Sequence, residues 1–270
     1  MAAHDRHEAW TEGDPYEAYV GRWSRVVARE LVRSLEVPEG REWLDVGCGT
    51  GALAQTILER AAPAVVVGID RSEGLVASAR RRVRDPRARF ELGDAQALPV
   101  ASGAFDAAVS GLVLNFVPEP PRMLSEMARA TRAGGTVALY VWDYAAGMEM
   151  TRRFWDAAKA IDPAAEALDQ GTRFPICAPA PLASLLGAAG LTEISAFAID
   201  VPTVFRDFDD FWTPFLGGQG SAPGYVASLP EARRDELRER LRAALPAGPD
   251  GSIPLTARAW AARGRKRPSR

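Results

Sequence analysis

The nine residues WLDVGCGTG, at positions 43–51, decide the fold that this sequence predicts. A short apolar segment runs into three glycines spaced two apart, and a segment with helical periodicity, 52–62, follows. A strand that feeds a glycine-rich turn and then a helix lets backbone N–H groups approach a ligand closely. Taken alone the turn has low specificity, because residues 47–52 also fit the G-x-G-x-x-G/A pattern of dinucleotide-binding proteins.

Strands and helices alternate on both sides of this turn. Such an alternation predicts a parallel sheet that is covered by helices on both faces. The predicted strands are 42–46, 64–69, 89–92, 105–111 and 136–142, and the predicted helices are 15–36, 52–62, 72–83 and 120–131, with a turn at 133–135.

The rhythm changes after residue 142. A proline-rich, loop-like segment occupies 162–181, and glycines mix with large apolar side chains at 206–224, a composition suited to a loop that closes over a ligand. The remaining predicted elements are helices at 148–160, 182–189 and 231–245 and strands at 191–201 and 252–261. We interpret this half of the chain as insertions into the same domain.

Composition excludes several classes of protein. Of the 270 residues, 47% are hydrophobic and 25% are charged, which is typical of globular proteins and excludes a disordered or fibrous chain. Two cysteines form no disulfide framework and suit a reducing compartment. No run approaches the ~18 apolar residues of a membrane helix, and the N-terminus lacks the apolar core of a signal peptide. We therefore expect a cytoplasmic protein with no membrane partner.

The charge is unevenly distributed along the chain. Residues 258–270 hold six basic residues and no acid, so removing them from the net charge of −2 leaves −8 for residues 1–257. An acidic body is a poor match for nucleic acid, whose binding depends on neutralising phosphates. We expect residues 263–270 to form a basic disordered tail.

Two further carboxylates follow predicted strands. Asp70 ends the second strand, where an ionised acid can accept hydrogen bonds from both hydroxyls of a ribose, although it can also simply complement a helix dipole. Asp94 follows the third strand. A nicotinamide-dependent oxidoreductase would use Asp70 but leaves Asp94 without a purpose.

Taken in order, five segments between residues 41 and 142 resemble the class I S-adenosylmethionine-dependent methyltransferases. They are LDVGCGTG, GIDRS, GDAQALP, FDAAVSG and the Gly134-Gly135 turn, where Ala133 replaces the family's usual proline. The chain is most similar to the small-molecule type that includes the ubiquinone- and menaquinone-biosynthesis enzymes. The resemblance implies a Rossmann-like α/β fold, with a seven-stranded, mostly parallel sheet in which 252–261 is the antiparallel member.

The resemblance also implies S-adenosyl-L-methionine as the cofactor. Its expected contacts are Asp45, Gly47, Cys48 and Gly49 for the methionine part, Asp70 with the adjacent Arg71 for the ribose side, Asp94 and the Ala95 N–H for adenine, and Ser110 beside the sulfonium. Tyr19 and Arg22 belong to YVGRWS, which is similar to segments that close over the cofactor in such enzymes. Cys48 would then be a backbone spacer and not a nucleophile.

Methyl transfer from a sulfonium requires mainly alignment of the acceptor with the methyl group, and a general base helps only if the acceptor loses a proton. Asp143 and Tyr144 follow the fifth strand and are predicted acceptor-side catalytic residues, although Asp143 could instead cap the next helix. His4 and His7 lie near the N-terminus, so we do not expect a histidine to act as the general base. No cluster has the spacing of metal ligands, so we predict no metal.

The predicted domain organisation has three parts. Residues 1–40 form an N-terminal helical cap, 41–262 form the methyltransferase domain, and 263–270 form the tail. Insertions at about 145–181 and 206–247 would cover the substrate. Their aromatic residues either line an apolar acceptor pocket or form the core of the cover: Phe154, Trp155, Phe174, Phe208, Phe211, Trp212 and Phe215.

The sequence therefore predicts methyl transfer to a small organic acceptor, such as a secondary metabolite. Enzymes that methylate amino groups of nucleic-acid bases carry Asn/Asp-Pro-Pro-aromatic after strand four, whereas this chain has Ser110-Gly111-Leu112-Val113, so no nucleic-acid partner is expected. Two alternatives stay open: a protein that binds the cofactor without transferring a methyl group, and an NAD(P)-dependent oxidoreductase.

Overall fold

In the computed structural model, which describes residues 21–218 and 220–268, seven strands form one sheet in the order β3-β2-β1-β4-β5-β7-β6. Tyr19 and the first part of the predicted cap lie outside the described residues. The strands are β1 (Glu42–Val46), β2 (Val65–Asp70), β3 (Ala88–Leu92), β4 (Phe105–Gly111), β5 (Thr131–Trp142), β6 (Leu191–Phe205) and β7 (Ile253–Lys266).

The pairing of the first five strands positions the glycine-rich turn. Strand β1 pairs in parallel with β2 and β4, β2 with β3, and β4 with β5. The strand order therefore reverses at β1, and ligands of open α/β sheets bind beyond the carboxyl ends of the strands at such a point. This confirms the predicted Rossmann-like, mostly parallel sheet.

Helices connect these strands in the alternating manner that the sequence predicts. The helices of the described residues are α1 (Arg22–Leu35), α2 (Ala52–Arg60), α3 (Glu73–Arg82), α4 (Pro120–Ala130), α5 (Glu149–Ile161), α6 (Gln170–Arg173), α7 (Pro179–Ala188), α8 (Phe208–Trp212), α9 (Ser221–Ser228) and α10 (Glu231–Ala244). Short 3₁₀ segments occupy Leu114–Phe116, Pro163–Leu168 and Thr213–Gly217. No helix in this part of the chain is long and apolar enough to cross a membrane.

The chain divides into two compact units, each of which is discontinuous in sequence. The sheet unit comprises 24–141, 176–199 and, among the described residues, 259–268; the helical unit comprises 21–23, 142–175 and 200–258 without residue 219. Most of α1 therefore belongs to the sheet unit and not to a separate N-terminal cap. The predicted insertions correspond to the helical unit, with different limits.

Each unit has its own apolar core. In the sheet unit, Trp43 and Leu44 of β1 are fully buried, and α1 contributes Val27 and Leu31 at helical spacing. In the helical unit, Phe154 stacks on Phe215 with ring centroids 4.6 Å apart. Of the aromatic residues that the sequence assigned to the cover, Phe174 is only half-buried. The others are also buried: Trp155, Phe208, Phe211 and Trp212. These side chains are therefore the core of the unit, one of the two alternatives that the sequence left open.

The predictions for the proline-rich and glycine-rich segments are wrong in part. The segment 162–181 is partly helical, because Pro163 and Pro179 stand in the first turn of helical segments, where the missing N–H is not needed. The segment 206–224 contains α8, a 3₁₀ segment and the start of α9, and its aromatic side chains are buried, whereas Leu216 is 52% exposed. It is not the open loop that its glycines suggested.

Two further predictions are corrected at the ends of strands. The predicted turn at 133–135 lies within β5, where Gly134 has φ +76° and the pairing with β4 shifts register between Phe105 and Ala107, as at a β-bulge. The predicted disordered tail begins too early, because β7 continues to Lys266. The ammonium of Lys266 donates to the Thr131 carbonyl oxygen at 2.7 Å.

Candidate functional site

The glycine-rich turn after β1 is held against the end of β2. The N–H groups of Gly47 and Cys48 both donate to the carbonyl oxygen of Ile69, at 2.7 and 3.0 Å. Gly47 has φ +73°, and a Cβ atom at this position would lie 2.5 Å from a methyl group of Val113. Both the backbone conformation and the close approach therefore require glycine here.

Gly49 differs from Gly47 because it faces open space. Its φ is +52°, and no atom of the described residues lies within 4 Å of a Cβ built on it. Its N–H donates to Asp70 Oδ2 at 3.0 Å. The turn thus leaves room beside its backbone, as a ligand cradle requires.

Asp70 connects this turn with the start of α3. Its Oδ2 accepts the Gly49 N–H, and its Oδ1 accepts the Ser72 N–H at 2.9 Å. A carboxylate offers about four acceptor positions. Two remain for other donors, such as a pair of hydroxyl groups.

Asp45, the acid that precedes the turn, is 1% exposed, and neither of its carboxylate oxygens accepts a hydrogen bond within residues 21–218 and 220–268. Burial raises the pKa of Asp45 to about 7, and the Asp70 carboxylate adds to the increase. The Ala54 amide lowers this pKa without closing a hydrogen bond of normal geometry. An unpartnered buried carboxylate is costly, and it is well suited to bind a cation that is also a hydrogen-bond donor.

The loop after β3 offers a carboxylate beside an exposed apolar side chain. Asp94 is exposed, and its Oδ1 accepts the Gln96 N–H at 2.8 Å. Leu92, at the end of β3, is 57% exposed. Ala95 is half-buried between Asp94 and Gln96. A planar heterocycle with an amino group has both a face and a donor that this loop could satisfy.

Ser110 lies in the sheet rather than at its surface. It is 1% exposed, and its hydroxyl donates to the Val46 carbonyl oxygen at 2.7 Å. The hydroxyl thereby ties the ends of β1 and β4 together. Leu112 then adopts φ +61°, an unfavourable conformation for a branched side chain that is tolerated mainly at functional sites and tight turns.

Sequence reasoning missed Asn115, in the 3₁₀ segment after β4. Both polar atoms of its side-chain amide are buried and have no hydrogen-bond partner in the described part of the chain. A polar residue within the apolar run VLNFV was the available signal. Its orphaned amide makes it a candidate for contact with a bound molecule.

Asp143 lies in a turn before α5 and does not cap that helix, whose N-cap residue is Met148. Asp143 Oδ1 accepts the Ala146 N–H at 3.2 Å, and its own carbonyl oxygen accepts the N–H groups of Gly147 and Met148. Tyr144 is 8% exposed, and its ring packs against Phe174 at 5.8 Å. An acceptor-side role for either residue stays a prediction.

The remaining predicted residues are placed as follows. Cys48 is buried, and burial, with Asp45 and Asp70, raises the pKa of its thiol well above the usual value, which suits a spacer better than a nucleophile. Arg71 is exposed. Arg22 lies in the helical unit and pairs with Asp210 at 2.9 Å.

The family model described as a methyltransferase domain matches residues 44–139. The chain is 33% identical to a trans-aconitate 2-methyltransferase of Deinococcus radiodurans over 187 residues, which covers 66% of this chain and 68% of that protein. It is 36% identical over 120 residues to a demethylmenaquinone methyltransferase of Symbiobacterium thermophilum, covering 43% of this chain and 47% of the relative.

Other curated relatives also match over a limited part of their length, 55% and 32% in two cases. A solved structure of phosphoethanolamine N-methyltransferase 2 of Haemonchus contortus, in complex with S-adenosyl-L-methionine, superposes with a TM-score of 0.57 at 17% identity. The match covers 96% of this chain and 56% of that one. This likeness concerns the fold.

Proposed function

This chain belongs to the class I S-adenosylmethionine-dependent methyltransferases, and from that premise we propose that it methylates a small organic acceptor. Membership in this family leaves the nicotinamide-dependent alternative without support. The observation that carries the proposal is Asp45, a buried carboxylate at the start of the glycine-rich turn that has no hydrogen-bond partner among the described residues.

The residues around the turn fit S-adenosylmethionine. Asp45 would accept from the ammonium of its methionine part, and the open side of Gly49 leaves room for the ligand. Asp70 keeps two acceptor positions for the ribose hydroxyls, while Asp94 would accept from the adenine amino group.

The other predicted contact residues would have different roles. Cys48 would contribute only backbone, and the Ala95 N–H would meet a ring nitrogen. Ser110 would act by fixing the end of β4, because its hydroxyl is already used by Val46. Asn115, with a buried free amide, is the better polar candidate on this side.

The bound cofactor supplies a methyl group that its sulfonium makes electrophilic. The contribution of this chain is to hold the donor and the acceptor in one orientation, which avoids the entropy loss of a bimolecular encounter. Exclusion of water protects the donor, and a general base is needed only for an acceptor that must lose a proton.

The names of the relatives suggest acceptors to test. The Deinococcus relative is named for trans-aconitate, a small carboxylic acid, and the Symbiobacterium relative for demethylmenaquinone. We propose an acceptor of the first kind, a small polar molecule, and a cytoplasmic location in keeping with a chain that has only two cysteines.

The test is incubation of the purified protein with methyl-labelled S-adenosylmethionine and a metabolite extract, followed by mass analysis of labelled products. Trans-aconitate and related acids serve as defined acceptors in parallel. A labelled product that disappears with Asp45→Ala supports the proposal. Binding of the cofactor without any labelled product would instead favour the non-transferring alternative.

A further inference from the structure

Asn115, in the 3₁₀ segment after β4, directs its side-chain amide into the molecule. The residue as a whole is half-buried, but Nδ2 and Oδ1 are both buried, and neither has a hydrogen-bond partner in the residues that the structure describes. Water would satisfy both atoms if the amide pointed outward. A donor and an acceptor that are buried without partners cost free energy, so their position calls for an explanation.

The start of this segment is fixed against the glycine-rich turn. The Leu112 N–H donates to the Tyr140 carbonyl oxygen at 2.8 Å. Val113 packs so closely on Gly47 that a Cβ atom built there would lie 2.5 Å from a Val113 methyl group. Asn115 follows Val113 by two residues, so it lies at the edge of the sheet that carries the ligand cradle.

The other end of the segment is tied to the loop of Asp94. The Glu119 N–H donates to Gln96 Oε1 at 2.9 Å, and Gln96 Nε2 donates to Asp94 Oδ1 at 3.3 Å. Asn115 therefore lies on a connection between two predicted cofactor contacts, the glycine-rich turn and Asp94. All of these residues belong to the sheet unit.

The chemistry of the amide limits which group can bind to it. Nδ2 requires an acceptor and Oδ1 requires a donor, so an ionised carboxylate alone, which only accepts, leaves Oδ1 unpaired. The donors of the cofactor are its ammonium, its ribose hydroxyls and its adenine amino group. The proposed function already provides Asp45, Asp70 and Asp94 for these donors. The donor for Oδ1 therefore belongs to the methyl acceptor.

We propose that Asn115 binds the methyl acceptor through a hydroxyl group, which donates to Oδ1, and a neighbouring carboxylate oxygen, which accepts from Nδ2. The acceptor is then a hydroxy acid. This inference rests on the proposed function, which provides the cofactor and a small acid as the acceptor. A site that pairs with a hydroxyl group rejects the analogue without it, because its own polar atoms are then left unpaired. Asn115 is thereby a specificity-determining residue.

The sequence allows a direct spectroscopic test, because Asn115 is the only asparagine among the 270 residues. The full chain, labelled with ¹⁵N at the asparagine side-chain amide, gives a single NH₂ group in the NMR spectrum. It is saturated with S-adenosylhomocysteine and titrated with pairs of acids that differ by one hydroxyl group. The pairs are malate and succinate, citrate and tricarballylate, and salicylate and benzoate. Calorimetry on the same pairs gives the affinities.

At least one hydroxy acid should shift the Asn115 signal and bind ~10-fold or more tightly than its partner without the hydroxyl group. Asn115→Leu retains the approximate size of the side chain but no polar atom. It should make the two affinities about equal without lowering the Tm, because it removes an unpaired buried amide. The matched control is Gln55→Leu, which removes an amide that donates to Glu59 at 3.0 Å on α2 and should keep the wild-type preference.

The proposal is overturned if no acid shifts the Asn115 signal, if both members of every pair bind equally, or if Asn115→Leu keeps the wild-type preference. It is also overturned if Asn115→Leu weakens S-adenosylhomocysteine itself ~10-fold, since the amide then contacts the cofactor. Failure of the proposed function has a different signature, because the wild type would then bind no S-adenosylhomocysteine.

Discussion

At the scale of single residues, the carboxyl group of Asp45 makes the stability of the protein depend on pH. Its pKa is raised from 3.8 to about 7, so the native state holds a proton that the unfolded chain releases between these values. Stability is then full below pH ~4 and falls as pH rises through ~7. Asp45→Asn removes this loss, so in urea unfolding the variant should gain on the wild type by a few kcal/mol at pH 8 but little at pH 4.

Binding of the cofactor should favour the ionised form of the Asp45 carboxyl group over the protonated form. A ligand ammonium favours the ionised carboxylate, so S-adenosylhomocysteine should release a proton from the wild type below pH ~7. Calorimetry in buffers of different ionisation enthalpy measures this release. Asp45→Asn should show none and bind ~10-fold or more weakly. Equal proton release in the two proteins would contradict the assignment.

Asp70 and Asp94 should each contribute to cofactor affinity according to the number of hydrogen bonds that they accept from the cofactor. Each bond to a charged group is worth ~1.5–3 kcal/mol, so Asp70→Ala should weaken S-adenosylhomocysteine ~10-fold to several hundred-fold and Asp94→Ala ~10-fold. Glu91→Ala is the matched control, since Glu91 is an exposed acid of β3. Tight binding of NAD by the wild type, with Asp94→Ala indifferent, would falsify the cofactor assignment.

Alanine substitutions at two glycines, Gly49 and Gly134, distinguish a loss of stability from a loss of ligand affinity. Gly49 and Gly134 both have positive φ, and at neither position does an atom of the described part of the chain lie within 4 Å of a built Cβ. Each Gly→Ala change should therefore cost ~1 kcal/mol or somewhat more of stability. Only Gly49→Ala places a methyl group in the cradle, so it alone should weaken S-adenosylhomocysteine in titration. Equal affinities in both variants would show that the ligand lies elsewhere.

At the scale of elements, the turn after β5 allows a test of Asp143. Asp143→Ala removes the acceptor of the Ala146 N–H and should lower stability by ~1 kcal/mol, whereas Asp143→Asn keeps an oxygen there and should recover most of it. Thermal unfolding gives this comparison. If Asp143→Asn is stable but transfers methyl groups slowly, with cofactor affinity unchanged, the acceptor-side role holds as well.

The elements that the sequence predicts well are those whose local pattern and tertiary role agree. The limits of β4 are predicted without error, and those of β2 and β3 lie within one residue, because each is a short segment between turn or loop residues that mark its ends. Pro179 and the glycines of 206–224 misled the prediction, since the same residue types begin helices and interrupt them. The continuation of β7 depends on neighbouring strands that no local pattern contains.

The residues of the candidate site also fall into two groups, those that the sequence predicts and those that it misses. Asp45, Gly49 and Asp70 are predictable because they belong to a motif with fixed spacing around one turn. Asn115 is significant only because its side-chain amide is buried without a hydrogen-bond partner in the part of the chain that the structure describes. Burial of that kind depends on contacts distant in sequence, so a single chain without its structure does not reveal it.

At the scale of the whole molecule, ligand binding should appear as thermal stabilisation. At 100 times its Kd, a ligand of the native state adds ~2.7 kcal/mol. For a chain of this length, with an unfolding entropy of ~2.1 cal/mol/K per residue, S-adenosylhomocysteine should raise the Tm by ~5 °C. NAD at the same concentration is the control and should give no shift. Equal shifts for the two compounds would remove the support for the cofactor.

The place of β7 between β5 and β6 has a consequence during synthesis. Ribosomes extend a chain at ~5–20 residues per second, and β6 is made well before β7. Until residue 266 has emerged, no strand can fill the gap, so β5 keeps an open edge on the nascent chain. Open edges invite pairing with other chains. A ribosome that stalls within residues 206–252 would therefore leave a nascent chain that depends on chaperones, whereas a finished one can close its own sheet.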